Sequence, residues 1–365
     1  MNKTNTQNLF IGLMSGTSAD AIDVALVTID NQSIRLIDFI DYPNEHQIDL
    51  CKLNSDAQIS LKQLAKLHAH LANNFADAAL AMLTKHGLEP EEITAIGSHG
   101  QTIFHAPELG MSLQIGHPAI IAKKTGIITA ADFRVDDMAL GGQGAPFAPA
   151  FHQAILNPKT PTLVINIGGI ANVSYLQPKQ PPLGFDSGPG NALMDELCQR
   201  NFNQAYDLAG QLAQQTPPDT SWLADLLSDP YFSQPSPKST GREYFNQAWL
   251  SRYPTSRSAL TQLSTLNQLT VESLASAIET LNSPAQTPCY ICGGGAYNTT
   301  LLKRLQVRLH THPIKTTEHL GINPDAIEAM MCAWLACNRI TNLPTPLKSI
   351  TGAGKNTVLG GLWHP

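Results

Sequence analysis

Residues 11–27 read IGLMSGTSADAIDVALV. An apolar run enters a knot of Ser, Gly and Thr, then leaves through Asp20 and Asp23 into a second apolar run. Two strand-length apolar runs around a cluster of turn formers predict a β-hairpin. A phosphate-binding P-loop needs a lysine and a following helix, and this stretch has neither. The segment GAGKNT at residues 352–357 comes closer, but it has Asn356 in place of Ser or Thr and lacks the first glycine. Two readings of the hairpin tip stay open. Ser15, Gly16, Thr17 and Ser18 could cradle a phosphate with backbone N–H groups and hydroxyls, with Asp20 and Asp23 placed for Mg²⁺. Alternatively, the tip is an ordinary exposed turn, because Gly and Ser are default turn residues.

The same pattern recurs at residues 160–178, TPTLVINIGGIANVSYLQP, where Asn166, Gly168, Gly169, Asn172 and Ser174 occupy the tip and its flanks. Each hairpin opens about half of the chain, and a length of 365 residues is roughly that of two domains. We therefore expect two α/β lobes, each a mixed sheet flanked by helices. The first covers residues 1–155 with hairpin 1. The second covers residues 156–365 with hairpin 2, and the last segment is free to pack on either lobe. Facing hairpin tips would both touch a phosphate held between them. A third cluster, CGGGAYN, puts Gly293, Gly294 and Gly295 after an apolar strand, with Asn298 placed to cap a helix. Adjacent glycines let another group, such as a nucleotide base or ribose, approach the backbone.

Helical spacing runs from Leu61 to Leu83, with Ser60 and Gln63 as a capping box and Gly87 as a C-cap. Residues 191–202 and 268–281 read as helices. So do residues 323–340, with Asn323 as N-cap and Pro324 in the first turn. Residues 93–105 read as strand, loop, strand. Residues 228–246, SDPYFSQPSPKSTGREYFN, form a loop long enough to expect a function.

Hydrophobic residues make up 42% and charged residues 14% of the chain, enough for sizeable cores, and the net charge of −6 disfavours a nucleic-acid scaffold. Six cysteines in a chain this long do not form a disulfide framework. Cys289 and Cys292 lie three apart on a predicted strand, so they point to opposite faces and do not read as a metal pair. No run resembles a signal peptide or reaches a membrane span. A soluble cytoplasmic protein with a small-molecule partner is expected.

Several polar residues sit at strand ends. Asp186 in GFDSGPGNALMDEL reads as either a general base or a carboxylate capping a nearby N–H. His99 and Gln101 in GSHGQTIFH, and Arg134 in DFRVDD, could serve a hydroxyl-rich ligand such as a sugar. Equally, His99 could be a satisfied buried histidine, and Arg134 could belong to an ion-pair network. Glu328 lies in the first turns of an apolar helix, where a carboxylate is electrostatically favoured anyway.

The ordered set FIGLMSGTSADAID, SHGQTIFH, DFR, ALGGQGAPFAPAFH, NIGGIAN, FDSGPGN, DPYFSQPSPKSTGREYFN, CGGGAYN and IEAMMCAWLA resembles the anhydro-N-acetylmuramic acid kinase family. That family lies within the superfamily of acetate and sugar kinases, heat-shock ATPases and actin. The resemblance spans nearly the whole chain. It implies a two-lobed actin-like fold and a kinase that uses ATP, Mg²⁺ and water. The kinase would open the 1,6-anhydro ring of anhydro-N-acetylmuramic acid and phosphorylate the freed O6, serving peptidoglycan recycling. By motif, Gly12, Leu13, Met14, Ser15, Gly16, Thr17, Ser18 and Ala19 would hold ATP phosphates, with Asp20 on Mg²⁺. Gly168 and Gly169 would hold phosphate from the second hairpin, and Gly293, Gly294, Gly295 and Asn298 would hold adenosine. Asp186 would be the base that activates water, and His99, Gln101, Arg134 and Glu328 would bind the sugar. The resemblance also implies a homodimer, and the paired hairpins with the need to exclude stray water lead us to expect lobes that close around both substrates. Ordinary sugar kinases of the same fold and non-catalytic nucleotide switches are the competing classes. The family pattern S-x-D-G-x-D reads SADAID here, with Ala21 in place of glycine. If that position needs a positive φ, alanine costs about 1 kcal/mol.

Overall fold

The computed structural model describes residues 8–16, 19, 21–30, 33–44, 58–236 and 238–365. Thr17, Ser18 and Asp20 lie outside the described residues. The chain forms two compact units, residues 1–155 with 326–365, and residues 156–325.

Unit 1 is built on a mixed six-stranded sheet. Its first hairpin pairs β1 (Leu9–Met14) with β2 (Ala21–Ile29), and β2 pairs with β3 (Ile34–Pro43). On the other side β1 runs parallel to β4 (Ile93–Ser98). A short hairpin of β5 (Gln101–Ala106) and β6 (Met111–Ile115) follows. Next, β7 (Thr129–Ala131) joins β4, and the C-terminal strand Gly361–Trp363 completes the edge. The helix Leu61–His86 starts at the expected Ser60–Gln63 capping box and stops at Gly87 in the left-handed region. Its apolar face, including Leu71, Phe75 and Met82, packs with Ile11, Leu13, Ile22 and Val24 in one core cluster.

Helix Ile327–Thr341 belongs to unit 1, although the sequence reading placed all of 156–365 in the second lobe and left only the last segment free. Gly12 and Gly97 are register partners on β1 and β4. A Cβ on Gly12 would overlap the carbonyl of Ala329, and one on Gly97 would overlap the carbonyl of Cys332. Two side-by-side glycines thus form a trough that admits the backbone of this helix. The helix also starts later than its sequence signals suggest. Asn323 Oδ1 accepts from the N–H of Asp325 at 3.0 Å, Pro324–Ala326 form a 3₁₀ turn, and no side chain caps Ile327.

Unit 2 has a five-stranded sheet whose neighbours run Leu183–Pro189, Ile170–Leu176, Thr162–Ile167, Cys289–Cys292 and Ile314–Thr316. Its strands are β8 (Thr162–Ile167), β9 (Ile170–Leu176), β10 (Leu183–Pro189), β11 (Cys289–Cys292) and β12 (Ile314–Thr316). β8 and β9 form the second hairpin, while β11 lies parallel to β8 and β12. Helices Ala192–Phe202 and Ala259–Thr280 bury Leu193, Leu197, Leu266 and Leu274 in a cluster with Leu163, Ile165 and Val173. Cys289 and Cys292 are buried on β11, and burial pushes the Cys289 thiol up to about 12. Among the described residues no cluster of His, Cys, Asp and Glu could hold a metal on its own, and no helix is long and apolar enough to cross a membrane.

Candidate functional site

In unit 1, the expected nucleotide residues divide by position. Gly12, Leu13 and Met14 lie inside β1, opposite Ala25, Val24 and Asp23 of β2. Their main-chain groups serve the sheet, and the Leu13 carbonyl also accepts from the His99 N–H at 3.0 Å. Gly12 has the packing task described above. Ser15 and Gly16 form the exit from the strand. A Cβ on Gly16 would meet nothing within 4 Å, so open space lies over that backbone. Ala19 sits at φ 50, is buried, and donates its N–H to the Gly16 carbonyl at 3.1 Å. Among the described residues of this hairpin the strained position is therefore Ala19. Ala21 is the first residue of β2, paired with Pro43, so the left-handed strain considered for it does not arise.

Gln101 braces the hairpin tip. Its Oε1 accepts from the Ser15 hydroxyl at 2.7 Å, and its Nε2 donates to the Gly16 carbonyl at 3.2 Å. Gln101 is buried, so the bracing is shielded from competition with water.

His99 and Arg134 form a second pair. His99 Nδ1 lies 3.2 Å from the Gly100 carbonyl, which makes Nδ1 the protonated nitrogen. Nε2 then accepts from Arg134 Nε at 3.1 Å. Burial, with Arg134 beside it, pushes the imidazole down to about 3, so it stays neutral. Arg134 also donates Nη1 to the Gly144 carbonyl at 3.1 Å. Burial lowers the Arg134 pKa, and the charge of Glu328 opposes that shift. Glu328 stands next to Ala329, the residue seated on Gly12, so the glycine trough is what brings this carboxylate near Arg134. His99, Arg134 and Glu328 are thus brought together in one unit, and Gln101 is turned to the hairpin.

In unit 2 the second hairpin tip is tied to a helix start. The N–H groups of Gly190 and Ala192 donate to the Gly169 carbonyl at 2.9 and 3.2 Å, and that of Asn191 donates to the Gly168 carbonyl at 2.8 Å. The Asn191 side chain makes no capping bond to the helix that follows it. Its Nδ2 donates instead to the Ile167 carbonyl at 3.1 Å. A Cβ on Gly169 would lie 3.5 Å from Cδ of Arg242, so a basic side chain rests against this tip. Gly293 has φ 73, and a side chain there would strike Asn166, while one on Gly295 would strike Ile167. Gly294 is more open, with Asn191 Nδ2 at 3.8 Å from a built Cβ. Asn298 is a helix cap, its Oδ1 accepting from the Leu301 N–H at 3.0 Å.

Asp186 lies within β10, not at its end as the sequence suggested. The pairing with β9 shifts between Asp186 and Gly188, and such an irregularity re-aims a side chain. The Ser239 hydroxyl and the Thr240 N–H each donate to Asp186 Oδ2 at 3.0 Å. Burial pushes the carboxyl up to about 6, against the lowering pull of these two bonds, and Glu243 adds to the rise. The main chain of Asp186 is held as well. Its N–H donates to the Lys238 carbonyl at 3.0 Å, and its carbonyl accepts from the Tyr231 hydroxyl at 2.8 Å.

The loop over residues 229–244 is therefore a strap across Asp186, and it is anchored at Asp229. That fully buried carboxylate accepts from the Tyr244 hydroxyl, Trp249 Nε1, Arg252 Nη2 and the Tyr253 hydroxyl at 2.7 to 3.1 Å. A cavity of about 300 Å³ is lined by Tyr231, Gln234, Ser239, Thr240, Glu243 and Tyr244. This loop stands out in the sequence by its length alone, with no residue in it carrying an expected role. Its DP and STGRE steps carry the signal, an acid and hydroxyls flanking aromatic residues.

A family model described as "Anhydro-N-acetylmuramic acid kinase" matches residues 8–365. A protein of that description from Hydrogenovibrio crunogenus is 50% identical over 362 residues, covering 98% of each chain. One from Vibrio cholerae is 42% identical over 369 residues, covering 98% of this chain and 99% of that one. Among solved structures, a ROK hexokinase from Thermus thermophilus aligns over 90% of this chain and 99% of its own, with a TM-score of 0.40 and 13% identity. An activator of 2-hydroxyisocaproyl-CoA dehydratase from Clostridium difficile with bound ADPNP aligns over 91% of this chain and 96% of its own, with a TM-score of 0.45 and 13% identity.

Proposed function

The chain belongs to the anhydro-N-acetylmuramic acid kinase family, and from that premise we propose that it couples hydrolytic opening of the 1,6-anhydro ring to phosphorylation of O6. The products are N-acetylmuramic acid 6-phosphate and ADP. In this reading the protein is a cytoplasmic homodimer that serves peptidoglycan recycling.

The observation that carries the reading is the setting of Asp186, its main chain gripped by Lys238 and Tyr231 and one carboxylate oxygen filled by Ser239 and Thr240. A carboxyl pushed up to about 6 is poised near neutral pH, where a general base works best. Ser239 and Thr240 fill one of its oxygens, and the other can take the proton of a water that attacks the anomeric carbon. The departing O6 then becomes the acceptor of the phosphoryl group. Arg134 and Glu328 hold the sugar. His99 fixes Arg134 by accepting from its Nε, and Gln101 keeps the first hairpin tip in shape.

ATP fits the residues present. In unit 1 Gly16 leaves its backbone open, and in unit 2 Gly294 does the same while Arg242 places positive charge against the Gly168–Gly169 tip. Phosphoryl transfer needs positioning and charge neutralisation above all, and Mg²⁺ on the nucleotide supplies the latter. Such an ion takes most of its ligands from phosphate and water, which suits a chain with no ready-made metal cluster among its described residues. Asp20 is the carboxylate we assign to it.

The test is incubation with ATP, Mg²⁺ and anhydro-N-acetylmuramic acid in ¹⁸O-labelled water, with the product read by mass. The expected product carries both the phosphate and the label in its anomeric hydroxyl. A phosphorylated product without the label would reduce the activity to transfer onto a pre-existing hydroxyl.

A further inference from the structure

We propose that Ser239, together with the Thr240 N–H, is a positioning residue that occupies Oδ2 of Asp186 and reserves Oδ1 for proton transfer. The inference rests on the reading of Asp186 as the base. Both donors meet the same oxygen at 3.0 Å, and among the described residues no other donor is placed on the carboxylate. A carboxylate oxygen that already accepts two hydrogen bonds is the poorer base, so the asymmetry selects which atom does the chemistry. Rotation of the carboxylate would break both bonds at once, which fixes the plane in which Oδ1 meets water.

The strap that delivers these donors is rigid where it needs to be. Tyr231 and Lys238 grip the main chain of Asp186. The Lys238 ammonium turns away from the carboxylate, donating to the Tyr231 carbonyl at 2.9 Å and lying 4.5 Å from the centre of the Tyr231 ring. The charged and titratable groups around Asp186 are therefore Glu243, Tyr231 and Lys238 on the strap, while Asp229 is engaged by its own donors and Arg242 lies against Gly169. From β9 the facing residue is the neutral Asn172. Ser239 itself is exposed on its far side and lines the cavity, so its hydroxyl is removable without opening a core.

The experiment is kcat/KM measured from about pH 5 to about pH 9 for wild type, Ser239→Ala, Ser239→Thr and Asp186→Asn. Losing a donor to the ionised form raises the pKa of a carboxyl. The acidic limb of Ser239→Ala should move up by about 0.5 to 1 pH unit, less than a fully buried charged hydrogen bond gives, because water reaches this hydroxyl. At about pH 6 that is roughly a 2- to 5-fold loss, approaching about 3- to 10-fold near pH 5, with a smaller loss on the alkaline plateau, and Ser239→Thr restores the limb. A Ser239→Ala profile lowered evenly at every pH, or unchanged, overturns the positioning role while an inactive Asp186→Asn leaves the base standing. An Asp186→Asn enzyme that keeps activity and the wild-type limb overturns the base reading and this inference with it.

Discussion

Asp186→Asn removes a charge while keeping the shape, so it separates the catalytic role proposed for this residue from its effect on stability. The native carboxyl is half-buried, and loss of solvent pushes it up to about 6 even with Ser239 and Thr240 bonded to Oδ2. In the unfolded chain the same group titrates near ~3.9. Between those values the native state holds a proton that the unfolded state has lost. Wild-type stability therefore falls as pH rises through that window and is level above it. A gap of about 2 units corresponds to about 3 kcal/mol for a fully enclosed group, and partial exposure reduces the expectation to about 1 kcal/mol. Asparagine does not ionise, and its Oδ1 can still accept from both donors. The variant should gain about 1 kcal/mol over wild type at about pH 8 and almost nothing at about pH 3, below the window. Its kcat should fall by at least about 100-fold, the contribution of a general base. Urea midpoints of unit 2 at both pH values and ADP release give the two readouts. A stability difference that is identical at both pH values would refute the desolvated carboxylate, and turnover within about 10-fold of wild type would refute the base.

The first hairpin offers a paired contrast. Gly12→Ala should destabilise unit 1 by more than about 3 kcal/mol, because its methyl enters a backbone carbonyl of helix Ile327–Thr341. Gly16→Ala should change stability by less than about 0.5 kcal/mol while raising the KM for ATP several-fold; equal urea midpoints for the two variants would remove the packing argument. His99 should stay neutral with its proton on Nδ1 from about pH 5 upward, since burial and Arg134 hold it at about 3. Nitrogen NMR chemical shifts check this, and an imidazolium spectrum at about pH 5.5 would contradict the assigned bond to Arg134.

Much of the fold was legible because its signals are local. The two hairpins, the capping box at Ser60 and the left-handed stop at Gly87 each depend on residues within a few positions of one another. The membership of helix Ile327–Thr341 was not legible, because its cause is a trough between Gly12 and Gly97, which are far apart in sequence and meet only in the parallel register of β1 and β4. The strap over Asp186 was illegible for the same reason. Ser239 and Asp186 are separated by 53 positions, and the bulge that re-aims Asp186 has no signal beyond a Ser-Gly step.

The glycines and alanines of residues 11–27 show how far a local reading reaches. A glycine-rich knot invites one explanation for every small residue in it, but the structure distributes the reasons. Gly12 is small so that a helix can approach, Gly16 leaves its backbone open, and Ala19 bears the positive φ. Ala19 keeps its methyl despite a cost of about 1–2 kcal/mol for the left-handed region, because that methyl is buried in the cluster with Ile22 and Leu13. Ala21 is an extended strand residue, so exchanging it for glycine would relieve no strain. Whatever a glycine supplies at that position in relatives, it is not a left-handed turn in this chain; among the described residues of the first hairpin tip, the positive φ falls on Ala19, and Gln101 braces Ser15 and Gly16.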